Sequence, residues 1–232
     1  MKQNNFDFLR FYFAFIVVIG HLIELSKIAY FQKFSPFFDT SISVNGFFCI
    51  SGFLITRSFL NSESLKSYFS KRAARLLPAY IFVVLICFLL LSTISTFSFS
   101  EYFSNPLTYK YLVSNLTFLN FIEPSLPGVF LQNGIPYPVN GSLWTLKVEV
   151  SFYLILPLII LAIQKSNRKS IILVGIYLFS VGYQYLFRWM ADTYDSSILR
   201  ILSHQLPAFL SYFICGIALH YYFDYFYRNK YM

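Results

Sequence analysis

The chain has 232 residues, of which 57% are hydrophobic, 22% aromatic and only 12% charged. Soluble domains carry about 25% charged residues, so this composition excludes an ordinary soluble protein. The net charge of +8 would suit a nucleic-acid partner, but the basic residues lie between apolar blocks of membrane-spanning length. The sequence therefore predicts an all-α, polytopic helix bundle that contacts membrane lipid and binds no nucleic acid.

Six apolar segments are long enough to cross a membrane. They lie at about residues 6–25, 40–60, 76–97, 142–163, 171–190 and 205–223. Six spans place the two termini and the loops after spans two and four on the same side of the membrane. That side carries 11 basic residues, and the opposite side carries 5. Because basic loops stay in the cytoplasm, we predict that both termini are cytoplasmic and that the long segment 98–141 is external.

The first span carries ionisable residues in an otherwise apolar helix. Arg10 and His21 are eleven residues apart, which places them about 20° apart around a helix and about 16 Å apart along it. Asp7 and Glu24 fall on the same stripe. Burying an Arg at mid-bilayer costs roughly 2.5 kcal/mol or more, so such a stripe faces a bundle interior or a wet cavity and indicates function. The alternative is that the charged residues reach the interfaces and that His21 is structural.

A face of small or polar residues runs along the second span. These residues recur at spacings of four, three and four, which places them on one side of a helix: Asn45, Cys49, Gly52 and Thr56. The pattern favours close approach of another helix or a narrow cavity. Close packing is the better interpretation for most of them. Asn45 is the exception, because its amide places donors and an acceptor inside the span.

Two arginines, Arg72 and Arg75, lie one turn apart at the predicted start of the third span, with Pro78 expected near its first turn. A pair of guanidinium groups suits phosphate, because each planar fork donates two parallel hydrogen bonds. Anchoring of the helix by basic residues on the cytoplasmic side explains the pair equally well.

The fourth span carries a carboxylate, Glu149, well inside the membrane. A buried carboxylate is paired or protonated, and Arg10 and His21 are candidate partners. Trp144 and Lys147 lie closer to the outer interface and are expected to reach water. A catalytic or binding role is favoured for Glu149 over a structural one.

Three further features complete the predictions made from the residues alone. Pro157 lies inside the fourth span and frees the carbonyl of Tyr153, so a kink is expected there. Residues 111–122 are too few to cross a membrane and predict an interfacial or re-entrant helix. The cysteine and histidine spacings predict no disulfide and no metal site.

Four stretches together resemble the acyltransferase-3 family of membrane-bound O-acyltransferases. They are Arg10 with His21, NGFFCISGFLITRSF at 45–59, KRAARLLPAY at 71–80 and GSLWTLKVEVSFY at 141–153. Each alone is a weak match, whereas all four in order are specific. Family members have about ten spans, so the resemblance implies that residues 1–232 form one membrane domain that lacks the C-terminal spans.

The resemblance implies an enzyme of the bacterial inner membrane without a bound cofactor. It would transfer an acyl group, in particular acetyl, from acyl-coenzyme A (acetyl-CoA) to a hydroxyl of a surface polysaccharide or its lipid-linked precursor. Two other functions stay open: a transporter or flippase fragment whose intramembrane charges move a substrate, and an inactive truncated remnant that binds partner membrane proteins.

The resemblance also assigns catalytic roles. His21 would be the essential histidine, Arg10 its partner in the first helix, and Glu149 the acidic residue of the fourth-span motif. Histidine can deprotonate a hydroxyl and then protonate the leaving thiolate, either by direct transfer or through an acyl-histidine.

Binding roles follow in the same way. Arg72 and Arg75 would bind the acyl donor. Acyl transfer also needs a hydrogen-bond donor for the developing oxyanion, and Asn45 and Trp144 are the candidates for this contact or for a contact with the acceptor.

Overall fold

The computed structural model describes residues 6–131 and 138–229, which form helices and no strand. The helices are α1 (Phe6–Ser26), α2 (Ala29–Gln32), α3 (Thr40–Leu60), α4 (Leu65–Leu90), α5 (Phe99–Ser104), α6 (Pro106–Leu116), α7 (Leu143–Lys165), α8 (Lys169–Thr193), α9 (Ser197–Leu202) and α10 (Leu206–Asn229). Within the described ranges, six helical segments are long and apolar enough to cross a membrane. The predicted all-α, polytopic fold is therefore confirmed, and the chain is a multi-pass membrane protein.

The third span differs from its predicted bounds of 76–97. Helix α4 begins at Leu65, where the Ser64 hydroxyl caps it by accepting a hydrogen bond from the N–H of Ser67. It ends at Leu90, because the serine and threonine that follow donate their hydroxyls back to its last carbonyls. Pro78 consequently lies in the helix interior, and its predicted place near the first turn was wrong.

The chain divides into two compact units. The first comprises residues 1–61 and 154–232, and the second comprises residues 62–153. In the first unit α3 packs against α1 and α10, and α10 packs against α8. In the second unit α4 packs against α6, and α5 packs against α6.

Two glycines allow α3 and α10 to approach closely in the first unit. A Cβ added to Gly52 would collide with the carbonyl of Phe213, and one added to Gly216 would collide with the carbonyl of Cys49. The ring of Phe48 stacks on that of Phe213 at 4.8 Å beside this crossing. The prediction that the small residues of the second span serve close helix packing is confirmed at Gly52.

Replacing Gly216 with leucine should unfold or aggregate the protein, because the side chain would push the α3 and α10 backbones apart. Overpacking typically costs about 1–3 kcal/mol, and a backbone clash lies at the upper end. The matched control is Gly182→Leu in α8, where no atom lies within 4 Å of an added Cβ. The two variants are purified in detergent and compared by thermal unfolding, with size-exclusion chromatography as the readout. Equal melting temperatures would contradict the close crossing.

The core of the second unit forms around Phe88, Tyr102, Tyr111, Leu126 and Val129. The Tyr102 hydroxyl donates to the carbonyl of Phe88 at 2.9 Å. Burial raises the pKa of Tyr102 to about 12, so this donor stays protonated at physiological pH. Aromatic side chains thus hold the segment after α4 against the end of that helix.

The predicted helix at 111–122 begins and ends earlier than expected. Helix α6 starts at Pro106, because the Asn105 side chain caps it by accepting from the N–H of Leu107 and proline suits the first helical position. It ends at Leu116, and Phe118 then takes a left-handed conformation with φ 61°. Part of the segment predicted as external, residues 132–137, lies outside the described residues.

Candidate functional site

His21 lies near the C-terminal end of α1 and pairs with a carboxylate. Its Nδ1 is 3.4 Å from Oε2 of Glu24, and the two side chains are 45% and 73% exposed. A carboxylate at one ring nitrogen orients an imidazole, while Nε2 stays available to a reactant. Sequence reasoning placed Glu24 on the same stripe but did not identify it as the partner of His21.

The other two candidates of the first unit, Arg10 and Asn45, lie on α1 and α3. Arg10 is half-buried in the N-terminal part of α1, and Asn45 is half-buried in α3, the helix packed against α1. Within the described residues, no hydrogen bond or ion pair joins His21 to either of them. The roles assigned to Arg10 and Asn45 stay predictions.

In the second unit, Glu149 belongs to a chain of hydrogen bonds that includes two tyrosines. The Tyr153 hydroxyl donates to Oε1 of Glu149 at 2.6 Å. The fully buried Tyr68 of α4 donates its hydroxyl to the backbone carbonyl of Tyr153 at 3.1 Å. This carbonyl lacks an N–H partner four residues on because that residue is Pro157. The carbonyl that the sequence predicted to be free is thus satisfied by Tyr68.

Arg72 and Arg75 lie on α4 within electrostatic range of this tyrosine–glutamate cluster, which we define as Tyr68, Tyr153 and Glu149. Both guanidinium charges act on the hydroxyl of Tyr153, and that of Arg72 also acts on Tyr68. The structure therefore places Arg72 and Arg75 in the neighbourhood of Tyr153, whose hydroxyl donates to Glu149. The sequence signals were the one-turn spacing of the arginines and the i,i+4 spacing of Glu149 and Tyr153.

Lys147 is buried, so the prediction that its side chain reaches water was wrong. It is only 7% exposed, and its Nζ lies 4.9 Å from the centre of the Phe121 ring. The turn after α6 places this ring over the ammonium group, which it attracts through its π face. Trp144 is half-buried one turn earlier in α7.

Across residues 6–131 and 138–229, no group of three or more His, Cys, Asp or Glu side chains could hold a metal ion. The candidate polar groups are therefore a histidine–carboxylate pair in one unit and, in the other, the tyrosine–glutamate cluster with two nearby arginines.

Comparison with known proteins gives a consistent result. A family model described as an acyltransferase domain matches residues 3–231. Nodulation protein 10 of Rhizobium leguminosarum bv. viciae is 30% identical over 181 residues, which are 75% of this chain and 48% of that protein. The O-acetyl transferase of Shigella phage Sf6 is 30% identical over 172 residues, which are 74% of this chain and 50% of that protein.

A third relative is longer. The peptidoglycan O-acetyltransferase OatA of Listeria monocytogenes is 32% identical over 195 residues, which are 78% of this chain and 30% of that protein. No solved structure matches the chain. The chain spans about half of the length of the first two relatives. Because the family model covers almost every residue, this chain belongs to the acyltransferase-3 family.

Proposed function

We propose that the chain transfers an acyl group, in particular acetyl, from acyl-coenzyme A to a hydroxyl of a cell-surface polysaccharide or its lipid-linked precursor. Family membership supports acyl transfer, and two of the relatives are named for O-acetyl transfer. The observation that carries the proposal is the pairing of His21 with Glu24 on a predicted membrane-spanning helix of an acyltransferase-3 chain.

His21 is the general base in this proposal. Its Nε2 takes the proton of the sugar hydroxyl as the hydroxyl oxygen attacks the thioester carbonyl. The C–S bond then breaks, and the imidazolium returns the proton to the leaving thiolate. In the acyl-histidine route, Nε2 attacks the thioester carbonyl and the C–S bond breaks to release the thiolate; the sugar hydroxyl oxygen then attacks the acyl carbon, the C–Nε2 bond breaks, and the hydroxyl proton goes to the thiolate. Glu24 stabilises the positive imidazole in either route.

The acyl donor is assigned to the second unit. Its phosphates suit Arg72 and Arg75, because two guanidinium forks can donate several charge-assisted hydrogen bonds. Arg10 is proposed to act with His21 along the first helix, and Asn45 or Trp144 to donate to the oxyanion or contact the acceptor.

Removing both arginines, as Arg72→Ala with Arg75→Ala, should abolish binding of acyl-coenzyme A by the purified protein. Arg72→Lys should weaken it by about tenfold even though the charge is kept, because lysine cannot offer a bidentate fork. Isothermal titration with coenzyme A measures both, and Arg168→Ala, in the loop before α8, is the matched control. Unchanged coenzyme A affinity in the double variant would leave the pair as a topological anchor only.

The proposed setting is the bacterial inner membrane, with both termini cytoplasmic, residues 98–141 external and residues 1–232 in one membrane domain. A cysteine that replaces the exposed Ser100 of α5 should react with an impermeant maleimide in intact spheroplasts. One that replaces the exposed Asn167, between α7 and α8, should react only after permeabilisation. The unmodified chain controls for its three half-buried cysteines. The reverse labelling pattern would invert the topology.

The function itself is tested by deleting the gene from its host and measuring the ester-linked acetate of the surface glycans by mass spectrometry. We expect acetate to disappear from one glycan and to return when the wild-type gene is supplied on a plasmid. Acetate that is unchanged in the deletion strain would contradict the proposal and favour a transporter or an inactive remnant.

A further inference from the structure

A pocket of about 330 Å³ opens in the first unit, between the C-terminal end of α1 and the segment 32–40 that leads into α3. Its lining includes the carboxylates of Glu24 and Asp39, the amide of Gln32, and the apolar side chains of Pro36 and Phe38. Its volume lies at the small end of ligand pockets, which run from about 300 to 1,000 Å³. Such a pocket fits one small polar molecule rather than a long chain.

The pocket adjoins the histidine. Glu24 lines it and is also the residue whose Oε2 lies 3.4 Å from Nδ1 of His21. Gly20 precedes His21 and lines the pocket as well, and a Cβ there would lie 2.7 Å from the carbonyl oxygen of Phe38. The missing side chain lets the 32–40 segment approach α1 and form the pocket beside the histidine.

The carboxylates and the amide of the lining have hydrogen-bond acceptors with spare capacity, and the hydroxyls of Ser35 and Thr40 can donate or accept. Oδ1 of Asp39 accepts the N–H groups of Ser41 and Ile42, whereas its Oδ2 has no protein partner within the described residues. Within the described residues, the hydrogen bond of Glu24 is made by its Oε2, with Nδ1 of His21. Gln32 donates its amide to the carbonyl of Ile23 at 2.7 Å, which leaves its own carbonyl oxygen as an acceptor.

A lining of this kind selects the chemistry of its ligand. Acceptors require a ligand with several O–H or N–H donors, and two carboxylates repel a ligand that is itself an anion. The apolar Pro36 and Phe38 suit the C–H face of a sugar ring. We propose that this pocket binds an uncharged sugar residue of the acceptor glycan beside His21 and discriminates against acidic sugars. The acceptor role rests on the function proposed above, whereas the preference for uncharged sugars rests on the pocket alone.

Binding is tested without any donor, by saturation-transfer NMR on the detergent-purified wild-type chain. The probes are methyl glucoside, methyl N-acetylglucosaminide and methyl glucuronide. We expect transfer to the two uncharged glycosides and at least about fivefold less to the glucuronide at neutral pH. Ser35 lines the pocket, so Ser35→Trp should abolish the signal by filling it. Ser197→Trp, at an exposed serine that begins α9, is the matched control and should leave the signal unchanged.

A second variant tests the charge rather than the space. Asparagine also caps helices, so Asp39→Asn keeps the start of α3 and removes one carboxylate. It should raise binding of the glucuronide relative to the glucoside by about fivefold. Asp195→Asn, at an exposed aspartate between α8 and α9, should not change this ratio.

The outcomes separate this inference from the proposed function. No binding of the uncharged probes, equal binding of the glucuronide, or equal signals in Ser35→Trp and Ser197→Trp would overturn the sugar pocket. Binding as expected, combined with unchanged glycan acetate in the deletion strain, would support the sugar pocket while overturning the acyltransferase function.

Discussion

Replacing His21 with alanine should lower glycan acylation by about 10²–10⁴-fold, the usual cost of removing a general base. The same size of loss is expected if the histidine carries the acyl group, because alanine offers no nucleophile. The side chain is 45% exposed and contacts Glu24 rather than the core, so its removal should leave the amount of protein in the membrane near that of the wild type. Ester-linked acetate per glycan repeat, divided by the membrane protein level, is the measurement.

The other histidines provide matched controls, because each already has a structural role. Nδ1 of His204 lies 2.9 Å from the carbonyl oxygen of Arg200. The ring of His220 packs edge-on against that of Phe53 at 5.4 Å. His204→Ala and His220→Ala should therefore affect stability more than acylation. If His21→Ala restores as much acetate as the wild type in the deletion strain, the proposed mechanism is wrong even though the family membership stands.

The membrane-spanning architecture could be predicted because it depends on local composition. Five of the six predicted spans match helices of the structure within a few residues at most ends. The third did not, because Pro78 was taken as the start of a helix. The preceding stretch has helix-forming residues and a serine cap, and these continue the helix through the proline.

The candidate site was predictable only where its contacts are local in sequence. His21 with Glu24 follows from helical periodicity. The bond from Tyr68 to the carbonyl of Tyr153 joins residues 85 positions apart, and no spacing rule reaches that far. For the same reason the burial of Lys147 could not be foreseen, since it depends on how the turn after α6 places an aromatic ring.

Replacing Glu149 with glutamine should abolish acyl transfer, with a loss of at least about 100-fold, while the protein still folds and inserts. Glutamine has nearly the same shape, and its Oε1 can still accept the hydrogen bond that the Tyr153 hydroxyl donates at 2.6 Å. Only the negative charge is lost, and with it any interaction of that charge with an arginine, a histidine or the developing charges of the reaction. Acetate transfer from labelled acetyl-coenzyme A to isolated host glycan, in membranes with equal protein levels, measures the loss.

Tyr153→Phe separates the charge of Glu149 from its position. Phenylalanine keeps the ring and the backbone carbonyl that Tyr68 binds, but it removes the donor to the carboxylate. A hydrogen bond to a charged group contributes about 1.5–3 kcal/mol, so transfer should fall by roughly 10- to 100-fold, less than in Glu149→Gln. Tyr183→Phe, which removes a longer bond of 3.3 Å to the Leu202 carbonyl in the first unit, is the control. Full transfer activity in a well-expressed Glu149→Gln protein would exclude a catalytic role for the carboxylate. If Tyr153→Phe is as inactive as Glu149→Gln, the carboxylate works only when the tyrosine holds it in position.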